Sequence, residues 1–191
     1  MIKIGILSSH NGSGFSSIQN ACEKNILNAQ VVVVISNNTT AKVLEKAAKK
    51  EIPNYLINSK LFPDQNLDEK ITNLMLEHEV DYIFLSGYMK KIEKNLLSSF
   101  ENKILNSHPA LLPNFGGPGM FGRNVHEAVI AAKVKEAGVT IHTINENYDE
   151  GEYILQKSID VLDNDTVDSI EEKIKHLESI AIVEAFQKLL K

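Results

Sequence analysis

Apolar and polar positions along the first half of the chain repeat in blocks of about 30 residues: an apolar run, a polar turn, then apolar residues at helical spacing. Ile2, Ile4, Gly5, Ile6 and Leu7 predict a short buried strand, and 16–23 a helix with Ile18 and Cys22 on its inner face. Val31-Val32-Val33-Val34-Ile35 is apolar on both faces, as a central parallel strand is, within a strand expected over 29–35. A helix is expected over 41–50 with Val43, Leu44 and Ala47 inward, then a third strand over 54–57. Ile71, Leu74 and Met75 mark a helix over 67–78, and a strand over 82–85 and a short helix over 93–100 complete this half. Strand alternating with helix predicts an α/β fold with a doubly wound, mostly parallel sheet.

The second half opens on Ile104-Leu105-Asn106-Ser107-His108-Pro109. A strand over 104–107 puts side chains at i and i+2 on one face, so Asn106 and His108 lie side by side. Pro109 cannot donate to a ladder and should end the strand. The segment 110–122 holds Gly116, Gly117, Gly119, Gly122, Pro113 and Pro118 and reads as a loop, followed by a helix over about 125–133. Val139–Ile144 alternates as a strand, which leaves His142 facing either a site or the core. A polar loop over 145–151, a strand over 153–158 and a helix from about Val167 follow. Asp165 or Thr166 can cap that helix, and Ile170, Ile174, Leu177, Ala181 and Phe186 form its inner face. No repeat or linker interrupts the pattern, so a single domain over 1–191 is expected.

Composition narrows the function more than the fold. Net charge is −5 with no long block of either sign, which gives no support to a nucleic-acid partner. No apolar run approaches the length of a membrane span and no signal peptide is read, so a cytoplasmic protein is expected. The one cysteine, Cys22, excludes an internal disulfide and a thiolate metal cage, and is expected as a small buried hydrophobe. His126-Glu127 has no second ligand at helical spacing, so no metal is expected.

Ligands of such sheets bind beyond the carboxyl ends of the strands, where the loops after Leu7, Leu85 and Ser107 emerge. An amide donor and an imidazole there suit a carbonyl that becomes an oxyanion. Gly12-Ser13-Gly14 lies between a strand and a helix and can offer backbone N–H groups to a phosphate. The dinucleotide fingerprint is incomplete, because Ser17 stands at its third glycine and Ile35-Ser36-Asn37 supplies no acid for a ribose. A monophosphate fits better than a nicotinamide cofactor. Asp149 can hold the tautomer of His108, although an Asp before Glu-Gly is most simply a solvated turn. His10 can touch a ligand or sit on the surface, and Lys90-Lys91 can attract an anion or merely solvate a helix entry.

The run Asn106-Ser107-His108-Pro109-Ala110-Leu111-Leu112-Pro113 resembles the folate-dependent formyltransferases, whose motif reads Asn-x-His-Pro-Ser-Leu-Leu-Pro. The resemblance extends to Leu85-Ser86-Gly87-Tyr88-Met89, Gly138-Val139-Thr140-Ile141-His142, Tyr148-Asp149-Glu150-Gly151 and the Gly-Ser loop. It implies a Rossmann-like formyltransferase fold and transfer of a formyl group from 10-formyltetrahydrofolate, the co-substrate, to the amine of glycinamide ribonucleotide in purine biosynthesis. It makes Asn106, His108 and Asp149 the catalytic residues, which overrides the solvated-turn reading of Asp149. It assigns Gly12, Ser13 and Gly14 to the substrate phosphate and Glu178 to the ribose. Folate binding falls on Tyr88, Met89, Lys90, Lys91 and Ile92 and on Ile144, Asn145, Glu146, Asn147 and Tyr148, with His142 a site-lining candidate. Partners are then small molecules, and a homodimer stays open.

The sequence departs from the family pattern at several points. Ala110 replaces the motif's Ser, Lys90 stands for an Arg and lacks its fork, and Glu150 stands for a Gly. The first loop is one residue longer before its glycine, and Gly116–Gly122 resembles a longer variant of the substrate loop. Rival readings are a formyltransferase for another amine such as an amino sugar nucleotide, a formyltetrahydrofolate hydrolase, and a non-catalytic folate- or nucleotide-binding module. Initiator-tRNA formylation is disfavoured by the lack of a basic face.

Overall fold

The computed structural model describes residues 1–147 and 149–190. They group into two compact units, Met1–Leu105 with Leu190, and Asn106–Leu189.

The first unit runs β1 (Ile2–Leu7), α1 (Ser13–Glu23), β2 (Ala29–Ser36), α2 (Lys42–Ala48), β3 (Asn54–Leu56), α3 (Leu67–Glu77), β4 (Tyr82–Leu85) and α4 (Lys94–Ser99). Its strands lie in the order β3-β2-β1-β4, and each of these pairs is parallel. Ile4, Ile6, Leu7, Val33, Val34, Ile35, Ile83 and Phe84 are buried between the layers. Each such side chain contributes roughly 1.5–3 kcal/mol by leaving water.

Helix α1 starts at Ser13, three residues before the sequence pattern suggests, because Gly12 turns the chain in the left-handed region (φ 62, ψ 52). A Cβ at Gly12 would also lie 2.4 Å from Val43 Cγ2, so glycine is required on both counts. The inner face of α1 is Gly14, Phe15, Ile18 and Ala21. Cys22 is half-buried rather than core, since the stripe continues at i+3 from Ile18 instead of i+4. Asn66 caps α3 by accepting from the Glu69 N–H at 3.1 Å. Glu93 makes no such bond at α4. The buried Asp68 carboxylate stands in, accepting from the N–H groups of Asn95 at 2.7 Å and Leu96 at 3.3 Å.

The chain enters the second unit within β5 (Ile104–His108) and continues through α5 (Arg123–Ala131), β6 (Glu136–Thr143), β7 (Tyr153–Asp160) and α6 (Val167–Leu189). β6 and β7 are antiparallel, with a register shift between Ile141 and His142. β6 is buried from Ala137 to Thr143, so it is a core strand on both faces, and its alternation did not distinguish inside from outside. It begins at Glu136, before the expected start at Val139, and α5 begins at Arg123 rather than Val125. Thr166 and Ser169 cap α6 reciprocally: the Ser169 N–H donates to Thr166 Oγ1 at 3.2 Å and the Thr166 N–H to Ser169 Oγ at 2.9 Å. Ile170, Ile174, Leu177, Ala181 and Phe186 form its buried face, joined by Ile182 and Ala185.

Candidate active site

In the second unit, strand alternation sends Asn106 and His108 to one face of β5 and Ser107 to the other. Asn106 Nδ2 lies 3.3 Å from His142 Nε2. His142 Nδ1 lies 2.7 Å from the carbonyl oxygen of Thr143, which can only accept, so Nδ1 carries the hydrogen. Neutral His142 therefore presents a bare Nε2, which accepts one N–H of Asn106 and leaves the other to point elsewhere. Burial pushes the His142 imidazole below its ordinary pKa and favours this neutral form, against the opposing pull of Thr143 and Asp149.

The same logic assigns His108. Its Nε2 lies 2.8 Å from the carbonyl oxygen of Phe115, so Nε2 carries the hydrogen and Nδ1 is the nitrogen left open. Asp149 stands by both rings, with Oδ2 3.7 Å from His108 Nδ1 and Oδ1 3.7 Å from His142 Nε2. These separations exceed hydrogen-bond length, so the carboxylate acts as a nearby charge. It is held by the Gly117 N–H, which donates to Oδ2 at 2.9 Å. Both histidines are buried, and the Asp149 side chain is 14% exposed. An amide donor, an imidazole with one open nitrogen and a fixed carboxylate thus converge. They can bind a carbonyl oxygen, stabilise negative charge on it and orient a proton.

On the opposite face, Ser107 Oγ donates to Glu178 Oε1 at 2.6 Å. Burial raises the Glu178 carboxyl above its ordinary pKa, while Ser107 and Lys175 pull it down. Ile144 is half-buried and Asn145, Glu146 and Asn147 are exposed. Glu150 accepts from Asn147 Nδ2 at 2.8 Å, and Asn147 N–H donates to Asn145 Oδ1 at 2.9 Å, so this loop is tied by its own side chains. Tyr148 lies outside the described residues.

In the first unit, Gly12, Ser13 and Gly14 form the entry to α1, whose first amides have no helical partners. The next amide, of Phe15, is already taken by Ser86 Oγ at 3.2 Å. Tyr88, Met89, Lys90, Lys91 and Ile92 line a cavity of about 580 Å³ together with Ser9, His10, Asn37, Asn58 and Lys60 among others. Ser9 Oγ donates to Asn37 Oδ1 at 2.5 Å and accepts from the Met89 N–H at 2.8 Å. Burial, then the charges of Asp68 and Glu93, pushes the Tyr88 phenol up to about 12, so it stays a neutral donor.

The sequence pattern did not single out Phe115, Gly117, Ser9 or Ser107. Ser107 carried a signal, as the middle residue of Asn-x-His on the opposite face. Phe115 and Gly117 act through backbone groups and carried none. No group of His, Cys, Asp and Glu among the described residues could hold a metal ion. No described helix is long and apolar enough to cross a membrane.

The family model described as formyl transferase matches residues 2–186. The chain is 34% identical to the chloroplastic phosphoribosylglycinamide formyltransferase of Arabidopsis thaliana, over 95% of this chain and 63% of that protein. It thus spans less than two thirds of that relative's length. It is also 34% identical to the phosphoribosylglycinamide formyltransferase of Bacillus subtilis, over 93% of this chain and 89% of that one. Among solved structures, glycinamide ribonucleotide transformylase 1 from Geobacillus kaustophilus superposes with a TM-score of 0.91 at 30% identity, covering 100% of both chains.

Proposed function

The chain belongs to the formyl transferase family, and from that premise we propose that it transfers the formyl group of 10-formyltetrahydrofolate to the amine of glycinamide ribonucleotide in purine biosynthesis. The observation that carries the reading is the cluster of Asn106, His108, His142 and Asp149, whose hydrogen bonds fix the tautomer of each ring. The acceptor amine attacks the formyl carbon to give a tetrahedral intermediate. The free N–H of Asn106 donates to the formyl oxygen, and protonated His108 stabilises the oxyanion from Nδ1. Asp149 balances the imidazolium and helps carry the amine's proton to the departing folate nitrogen.

Gly12, Ser13 and Gly14 bind the substrate phosphate through backbone amides, and Glu178 accepts from a ribose hydroxyl. The segments 88–92 and 144–148 receive the folate. Residues 1–191 act as one formyltransferase domain in the cytoplasm, with small molecules as substrates and no nucleic acid or membrane partner. Sedimentation will show whether the chain dimerises.

The test is formyl transfer from 10-formyltetrahydrofolate with and without glycinamide ribonucleotide, run beside His108→Ala. Turnover that requires the ribonucleotide and falls about 10²–10⁴-fold in the variant supports the reading. Folate product without acceptor would make the chain a hydrolase. Preference for an amino sugar nucleotide would reassign the acceptor, and binding of both ligands without turnover would leave a non-catalytic module.

A further inference from the structure

We propose that the backbone of Phe115–Gly117 selects which nitrogen of His108 reacts and so acts as a positioning element for the His108–Asp149 pair. Only the kinetic arm of this inference rests on the formyl-transfer reading. The segment reaches both partners. The Phe115 carbonyl accepts from His108 Nε2 at 2.8 Å, and the Gly117 N–H donates to Asp149 Oδ2 at 2.9 Å. That same oxygen lies 3.7 Å from His108 Nδ1. A carbonyl oxygen cannot donate, so the bond from His108 Nε2 to Phe115 persists only while Nε2 carries its hydrogen. Nδ1 is thereby the nitrogen left open, beside the carboxylate. At 3.7 Å neither Nδ1 nor Oδ2 is committed to the other, and Nδ1 remains available to a reacting oxygen.

The segment is built to stay in this position. Phe115 is a bulky residue at φ 57, a region such residues enter only when their surroundings impose it. Gly117 is at φ 90. Gly116, between them, has an ordinary φ but no room for a side chain. A Cβ there would lie 2.5 Å from Leu112 Cδ2 and 3.5 Å from Asp149 Cβ. The glycine lets the loop seat directly on Leu112 and Asp149, which brings the Phe115 carbonyl and the Gly117 amide to the pair. With the carbonyl withdrawn, the ring could carry its hydrogen on either nitrogen. Oxyanion stabilisation from Nδ1 would then lose its fixed geometry.

Gly116→Ala adds the one atom the site excludes, at a residue whose φ lies outside the left-handed region. Leu112→Val in the same chain removes the Cδ2 atom it meets. Long-range ¹H–¹⁵N spectra of the full chain, with the His108 signals assigned by their loss in His108→Gln, read the tautomer independently of turnover. Neutral wild-type His108 is expected with its hydrogen on Nε2. Gly116→Ala is expected to give mixed tautomers and a kcat about 10²-fold lower with both KM values nearly unchanged, and the Leu112→Val double variant to recover both properties. Wild-type His108 with its hydrogen on Nδ1 would overturn the proposal even if Gly116→Ala failed to fold. So would a Gly116→Ala protein that keeps the Nε2 tautomer, whatever its activity. A wild type without formyl transfer would overturn the proposed function, and the spectra would still judge the loop.

Discussion

The cluster on β5 and β6 and the cavity of the first unit use opposite means. In the cluster the polar side chains are buried or half-buried and backbone partners fix their states: Thr143 sets the hydrogen of His142, Phe115 that of His108, and Gly117 orients Asp149. The cavity instead offers about 580 Å³ lined mostly by loop residues, with Ser9 bridging Asn37 and the Met89 backbone. Charge that develops on one atom during a reaction requires donors fixed in advance, because a donor that must reorient costs part of what it supplies. Accommodating a large ligand requires volume and a well-placed backbone, and small adjustments there alter affinity more than rate. Substitutions in the cluster should therefore act on kcat, and substitutions around the cavity on KM.

The sharpest way to break this division is Asn106→Ala. Loss of the proposed oxyanion donor is expected to lower kcat by about 10²–10³ with little change in KM, measured by steady-state formyl transfer. A change confined to KM would move Asn106 to the binding side.

His142→Phe keeps the ring's bulk and removes the acceptor that orients the Asn106 amide, so kcat should fall by about tenfold. It also sharpens the pH behaviour. Burial lowers the folded pKa of His142 below the ordinary imidazole value of about 6.5. The unfolded chain therefore binds more protons between those two values, and the stability contributed by neutral His142 is lost as pH falls through that window. Denaturant midpoints of the wild type should drop more than those of the Phe variant as pH falls from 7 to 5.

Ser9→Ala tests the cavity. Losing the hydrogen bond to the Met89 amide is worth about 1 kcal/mol, so KM for the formyl folate should rise about fivefold with kcat nearly intact, and Ser9→Thr should recover it. A fall in kcat alone would join this loop to the chemistry.

The smallest expected effect is on stability, at Glu178. Its raised folded pKa means the folded chain holds a proton that the unfolded chain releases above the ordinary carboxyl value of about 4.3. Stability from this group is full below that pH and is lost as pH rises through the folded pKa. Glu178→Gln, which retains an acceptor for Ser107, should raise Tm by a few degrees at pH 8 and leave it unchanged at pH 4.

Much of the fold was legible because burial on both faces leaves a plain mark: Val31–Ile35 reads as a core strand and is one. The starts of helices were less legible. Gly12 and Gly122 begin α1 and α5 at positive φ, ahead of the apolar stripe that marks each helix in the sequence. His142 could not be assigned, because alternation distinguishes two faces only when one of them meets water, and β6 is buried from Ala137 to Thr143.

By itself the sequence determined the strand–helix alternation, the Asn-x-His face on β5 and the acidic loop that carries Asp149. These depend on local spacing and on the period of the backbone. Tertiary structure alone decided which atoms bear the hydrogens. The Thr143 and Phe115 carbonyls and the Gly117 amide set the states of His142, His108 and Asp149. Backbone groups are the same at every residue, so their effect depends on where the chain places them rather than on which side chain they carry.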